Sequence, residues 1–127
     1  MRIEHIALYV RELASMRDFY ATFFGGVPND GYHNPTTGLC TYFLTFEDGA
    51  RLELMTRPEL GERAAAAYPA GWAHLAFQLT DRAAVDALTE RLHAAGCSVV
   101  SGPRVTGDGY YESCVRDPEG NLVEITV

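Results

Sequence analysis

Residues 2–10 read RIEHIALYV, an apolar strand with a histidine, His5, in its middle. Residues 71–79, GWAHLAFQL, repeat the pattern with His74. Successive side chains of a strand point to opposite faces. Ile6, Leu8 and Val10 therefore share one face, and His5, Ala7 and Tyr9 the other. In residues 73–80, Leu75, Phe77 and Leu79 likewise oppose His74, Ala76 and Gln78. The same exception at the same point of two strands is the first sign of a duplicated chain.

Working outward, residues 3–56 align with residues 72–126. An amphipathic helix is predicted after each strand, with Leu13, Met16, Phe19, Tyr20 and Phe23 at helical spacing in one and Val85, Leu88, Leu92 and Ala95 in the other. The helices run into Gly25-Gly26 and Gly96, with Asp81 as N-cap of the second and Ser15 or a neighbour as N-cap of the first. A short strand, a Gly-rich loop and a hairpin follow in each half. The hairpins are TYFLTFEDGARLELM (41–55), turning at Asp48-Gly49, and YYESCVRDPEGNLVEIT (110–126), turning at Pro118-Glu119-Gly120. A glutamate lies four residues beyond each turn glycine, Glu53 after Gly49 and Glu124 after Gly120. The histidines are 69 residues apart, and the turn glycines and the glutamates 71.

These landmarks predict an α+β fold: two βαβββ modules whose curled mixed sheets form a cup, within a single domain. Module 1 spans residues 1–56, a linker 57–71 and module 2 72–127. The linker is RPELGERAAAAYPAG, whose alanines could form a helical turn between Pro58 and Pro69. In the last strands of the two modules, Leu52 and Leu54 oppose Arg51, Glu53 and Met55, and Val123, Ile125 and Val127 oppose Leu122, Glu124 and Thr126. The aliphatic faces are expected on the helices, and the opposite faces carry one histidine or one glutamate per strand.

If those faces look inward, His5, Glu53, His74 and Glu124 converge. Ionised carboxylates in a partly apolar cup are costly unless paired. A divalent cation keeps both charged, and two imidazoles with two carboxylates suit one divalent transition metal: Ni, Zn, Co, Fe or Mn. Singly, each residue has a plainer reading. A mid-strand histidine is usually a hydrogen-bonded core or edge residue, and Glu53 could pair with Arg51 two residues away. Matched positions in a repeat outweigh those readings.

Other candidates are weaker. His33, in the loop GYHNPTTG, and His93, on a polar helix side, read as surface residues. Gly107-Asp108-Gly109 leads into a strand, so it is not a phosphate loop. Cys114 shares a face with Tyr110 and Glu112, but no histidine near it in sequence would activate it. The three cysteines, Cys40, Cys97 and Cys114, are widely spaced and read as reduced, buried thiols. The aromatic residues of 19–24 read as core.

The chain of 127 residues carries a net charge of -7; its ten basic residues are all arginine and form no cluster. That argues against nucleic acid and against anionic membrane surfaces. No apolar run approaches the roughly 18 residues of a membrane span, and without a signal-peptide layout the expected location is cytoplasmic.

The matched halves, the two strand histidines, the two post-turn glutamates, MRDFYATFFGG (16–26) and DPEGNLVEIT (117–126) together resemble the vicinal oxygen chelate superfamily. It includes glyoxalase I, fosfomycin-resistance enzymes, extradiol dioxygenases, methylmalonyl-CoA epimerase and bleomycin-resistance proteins. The resemblance covers essentially the whole chain. A His-Glu-His-Glu order looks like glyoxalase I and implies His5, Glu53, His74 and Glu124 as metal ligands. Glu53 and Glu124 would be the catalytic carboxylates, shuttling a proton beside a polarised carbonyl of a small thiol adduct. The sequence departs from the glutathione-dependent members at Tyr9, where they commonly carry arginine, and in VTGDGYY (105–111), where they carry a basic residue. Arg104 could substitute in part. Tyr9, Arg104 and Tyr110 are the candidate substrate contacts, and loops 28–39 and 101–110 are expected to rim the cup. The competing readings are another metal-dependent member, an epimerase or thiol transferase, and a non-catalytic drug- or metabolite-binding protein. A homodimer is expected because an open sheet edge leaves a pairing surface, with the ligands drawn from one chain or exchanged between two.

Overall fold

Alternation of buried and exposed side chains decides where each strand lies, and the computed structural model follows it. It describes residues 1–63, 68 and 70–127 and divides into two compact units, Met1–Arg63 and Ala64–Val127. Both are α+β, a mixed sheet with one long helix. The alanines 64–67 and Pro69, for which a helical turn was a possibility, lie outside the described residues.

In the first unit the elements are β1 (His5–Tyr9), α1 (Leu13–Phe24), β2 (Val27–Pro28), β3 (Tyr32–His33), β4 (Cys40–Thr45) and β5 (Arg51–Thr56). The sheet order is β1-β5-β4-β2, with β3 also on β4. β1 runs parallel to β5, and the other pairs are antiparallel. In the second unit they are β6 (Leu75–Gln78), α2 (Arg82–Ala94), β7 (Val99–Val105), β8 (Tyr111–Arg116) and β9 (Leu122–Thr126). Its order is β6-β9-β8-β7, again with a parallel outer pair, β6 on β9. The two sheets share one plan, except that the single β7 stands where the first unit has the two-residue strands β2 and β3.

Each helix covers the aliphatic face of its own sheet. Met16, Phe19 and Tyr20 of α1 are buried with Leu44, Leu52 and Leu54. Val85, Leu88 and Leu92 of α2 are buried with Val115, Val123 and Ile125. Fully burying such a side chain stabilises by roughly 1.5–3 kcal/mol. In the second core the Thr89 hydroxyl donates to the Val85 carbonyl at 2.7 Å and accepts from the Ser113 hydroxyl at 2.6 Å.

The helix ends correct one expectation. Asp81 caps α2, its carboxylate accepting from the Ala84 N–H at 2.8 Å. Ser15 does not cap α1: the helix begins at Leu13, Ser15 lies inside it, and the N-cap position is Glu12, which makes no side-chain cap bond. The apolar pattern of α1 begins at Leu13, two residues ahead of Ser15, so packing sets its start. Gly25, at φ +71°, closes that helix in the left-handed conformation. Further differences are local. His33 belongs to β3 rather than a loop, and residues 99–105 form a strand through part of the segment read as a rim. The cysteines are free as expected, but half-buried rather than buried. Among the described residues no helix is long and apolar enough to cross a membrane.

β7 meets β8 with two register shifts, between Val99 and Ser101 and between Ser101 and Arg104. Gly102 sits within the second of these at φ +79°, where an added Cβ would lie 2.4 Å from the Glu112 carbonyl oxygen. The irregularity sets Arg104 opposite Glu112. Gly102→Ala is expected to destabilise the protein by at least about 1–3 kcal/mol, because backbone cannot yield as a flexible side chain would. Urea unfolding checks this; an unchanged midpoint contradicts the close approach.

Candidate functional site

Pairing register places the first histidine and glutamate. Ala7 of β1 lies opposite Glu53 of β5, so His5, two residues earlier, is a diagonal neighbour of Glu53. Both side chains leave the face opposite α1, and His5 Nε2 lies 3.8 Å from Glu53 Oε2. The second unit repeats the arrangement. Ala76 lies opposite Glu124, His74 is again two residues earlier, and its Nε2 lies 3.5 Å from Glu124 Oε2. His74 itself falls just before β6, which begins at Leu75, rather than within the strand as its sequence suggested. The histidines are about two-fifths exposed, whereas Glu53 and Glu124 are 15% and 21% exposed.

The donor chemistry fits a metal ion. Two donors each about 2.1 Å from one ion stand roughly 3.0–3.5 Å apart, and the histidine–glutamate separations lie at or just beyond that span. Each unit brings together two such donors. Among the described residues no group of three or more His, Cys, Asp and Glu side chains is placed to hold a metal.

The surroundings of the two pairs differ. Beside His5, the Nδ1 side of the ring is hydrogen-bonded to the Glu4 carboxylate. Glu4 also accepts from Arg51 Nε at 2.8 Å. The His5 hydrogen bond, with the Arg51 guanidinium behind it, holds Glu4 below the usual carboxylate range. Arg51 therefore pairs with Glu4, and the plainer alternative, an i,i+2 pairing with Glu53, is not what forms. Its guanidinium also lies 4.3 Å over the Phe43 ring, and His5 meets the same ring edge-on at 5.4 Å. Sequence reasoning missed both Glu4 and Phe43. The adjacency of Glu4 to His5, and the register that sets Phe43 opposite Glu53, are the signals that would have found them.

Beside Glu124 the neighbours are acidic. Cys114 is its direct partner on β8, and Glu112 shares that face. Burial first, and then the Glu124 charge, push the Glu112 carboxyl up. Arg104 Nη2, 3.8 Å from Glu112 Oε1, works against that rise. Arg104, expected at the substrate, thus faces a carboxylate one step from Glu124. Tyr9 is 47% and Tyr110 57% exposed. The Tyr9 side chain is hydrogen-bonded with Arg57, which is also paired with Glu59 at 2.9 Å. A guanidinium from the end of β5 therefore lies beside the position where an arginine was missing from β1. His33 and His93 are exposed and stand apart from the two pairs in sequence.

Two α+β units, each with the same histidine–glutamate diagonal on the face turned away from its own helix, define a duplicated protein with two chemically similar residue pairs. Residues 2–125 match the model of the Glyoxalase/Bleomycin resistance protein/Dioxygenase superfamily, and the chain belongs to that family. The uncharacterized protein PA2024 of Pseudomonas aeruginosa is 33% identical over 126 residues, covering 98% of this chain and 86% of that one. Among solved structures, a glyoxalase family protein from Enterococcus faecalis superposes with a TM-score of 0.81 at 22% identity, over 99% of this chain and 97% of that one. A lactoylglutathione lyase from Agrobacterium tumefaciens gives 0.69 at 28% identity, over 98% and 91%. The trypanothione-dependent glyoxalase I of Leishmania major gives 0.79 at 19% identity, over 99% and 86%.

Burial first, and then the Glu124 and Glu112 charges, raise the Cys114 thiol. A raised thiol holds less thiolate at any given pH, and the thiolate is the nucleophile. Iodoacetamide is therefore expected to modify Cys114 more slowly than free cysteine at pH 7–8, gaining rate only at more alkaline pH. Peptide mapping across pH measures this. Faster labelling than free cysteine at pH 7 would restore Cys114 as a candidate nucleophile.

Proposed function

We propose that the protein is a metal-dependent lyase or isomerase of glyoxalase I type, acting on a small thiol-adduct substrate, with His5, Glu53, His74 and Glu124 as ligands of one divalent transition metal: Ni, Zn, Co, Fe or Mn. The observation that carries the reading is the repeated diagonal, a histidine two residues ahead of the residue paired with a glutamate, in both units. Family membership and the likeness to a lactoylglutathione lyase at 28% identity support it. The metal supplies Lewis acidity that favours negative charge on a carbonyl oxygen.

The chain's own residues supply the rest. The two histidines anchor by ring nitrogen. In this reading Glu53 and Glu124, half-buried and acceptor-only when ionised, take a proton from the carbon beside that carbonyl and return it to the neighbouring carbon. Isomerisation of a 2-oxoaldehyde–thiol hemithioacetal to a 2-hydroxyacyl thioester is such a transfer. Arg57, beside Tyr9, offers a cation to an anionic thiol carrier, and Tyr110 and Arg104 are the remaining substrate contacts in this reading. The working form is a cytoplasmic homodimer. A second reading, another metal-dependent member acting on a different oxygen-rich substrate, is favoured by Tyr9 in place of arginine.

Purified protein is expected to hold stoichiometric transition metal, measured by elemental analysis, and to lose it in Glu53→Gln and His74→Ala. Methylglyoxal with a panel of low-molecular-weight thiols is expected to give thioester product, with kcat falling about 10²–10⁴-fold in Glu124→Gln. Turnover with none of the thiols removes the glyoxalase assignment and leaves the second reading. Metal-free wild-type protein removes both.

A further inference from the structure

His5 and His74 occupy equivalent positions of the repeat, yet among the described residues only His5 is braced by a carboxylate on its other ring nitrogen. We infer that Glu4 is a positioning residue, fixing the tautomer and ring orientation of His5 so that Nε2 is presented toward Glu53 as a metal donor. The inference rests on His5 being a metal ligand, as proposed above.

Three observations carry it. First, an ionised carboxylate only accepts hydrogen bonds. With Glu4 at Nδ1, that nitrogen carries the hydrogen, and the lone pair of the neutral ring sits on Nε2, the atom 3.8 Å from Glu53. A donor atom for a cation must present that lone pair. Second, Glu4 is itself held from the paired strand. Arg51 Nε and Nη2 both reach Glu4 Oε1, at 2.8 and 2.5 Å, and the Arg51 N–H donates to the Glu4 carbonyl at 3.0 Å. The same guanidinium rests on Phe43, whose ring edge-packs with the imidazole. The ring is thus constrained at Nδ1 and along one side by groups anchored on β4 and β5. Third, the repeat supplies an internal contrast. Ala73 stands where the first unit has Glu4, Leu122 where it has Arg51, and Cys114 where it has Phe43. None of these side chains can brace His74 in that way. Exposed ion pairs contribute little to stability by themselves, so a pair spent on a histidine's rear nitrogen has its effect on the donor rather than on the fold. The half-sites are therefore unequal, one pre-set and one free to adjust.

The test uses the full chain stripped of metal. Co(II) affinity is measured by chelator competition and the visible Co(II) spectrum, and the His5 tautomer by long-range 1H–15N correlation of the metal-free protein. Variants are Glu4→Ala, Glu4→Gln, His5→Ala and, as a charge control in the exposed β4–β5 turn, Glu47→Ala. The expected result for Glu4→Ala is about 10–100-fold weaker Co(II) binding, loss of the Nδ1–H tautomer and an unchanged melting temperature of the metal-free chain. Glu4→Gln, which keeps a neutral acceptor, falls between it and wild type, and Glu47→Ala matches wild type. Wild-type affinity and tautomer in Glu4→Ala, with Co(II) binding lost in His5→Ala, overturn the inference and leave the metal reading standing. Co(II) binding that is equally strong in His5→Ala, or absent from wild type, overturns both.

Discussion

The register of the two parallel strand pairs is the constraint on which the rest depends. Side chains alternate along a strand, so a slip of one residue between β1 and β5, or β6 and β9, would turn each whole set to the other face. Leu52 and Leu54 would lose their place under α1, and Val123 and Ile125 theirs under α2. Each such side chain contributes about 1.5–3 kcal/mol on burial, and a slip would set Glu53 and Glu124 against helices that offer an apolar face. Apolar packing thereby places the carboxylates. Glu53 and Glu124 stand on the open faces because their neighbours in sequence are held on the closed ones.

Given that placement, the open faces have an electrostatic problem that each unit meets differently. In the first, acid and base alternate: Glu53, His5, Glu4 and Arg51, with Phe43 as the platform for the last. In the second, Glu112 and Glu124 stand on neighbouring strands with a thiol between them, Arg104 lying 3.8 Å from Glu112 and His74 3.5 Å from Glu124. Burial first, and then the Glu124 charge, displace Glu112 upward. Two crowded carboxylates are relieved by protonation or by a cation, so the second face has more to gain than the first from bound positive charge.

Sequence exposed the parts of this plan that arise from local periodicity. The two faces of residues 3–10 and 73–80, the turn glycines Gly49 and Gly120, the cap at Asp81 and the histidine–glutamate spacing were all legible, because each depends on residues a few places apart. What escaped depends on strand partners. For Arg51 the sequence offered only Glu53, two residues along, as a possible partner, whereas the partner it has, Glu4, comes from across the parallel pair. His74 was read into its strand from alternation, which continues past the point where the ladder stops. Ser15 was a plausible cap by composition, but the helix start answers to Met16 and Phe19 packing below. Arg104 faces Glu112 because of the irregular stretch around Gly102, which no alternation pattern encodes.

Duplication explains why backbone geometry is shared while chemistry diverges. On closed faces both units bury aliphatic side chains, Leu52 and Leu54 in one and Val123 and Ile125 in the other, since any substitute must still fill the space beneath a helix. On the faces turned away from each unit's own helix, Glu4 and Ala73, Arg51 and Leu122, Phe43 and Cys114 can differ without disturbing either core. Within that freedom one diagonal is the same in both units, a histidine and a glutamate of like separation. Packing does not require it, because neither side chain is in a core. A shared feature that packing leaves free points to a demand made by something both faces bind. The differing neighbours then adjust how firmly each half presents its pair.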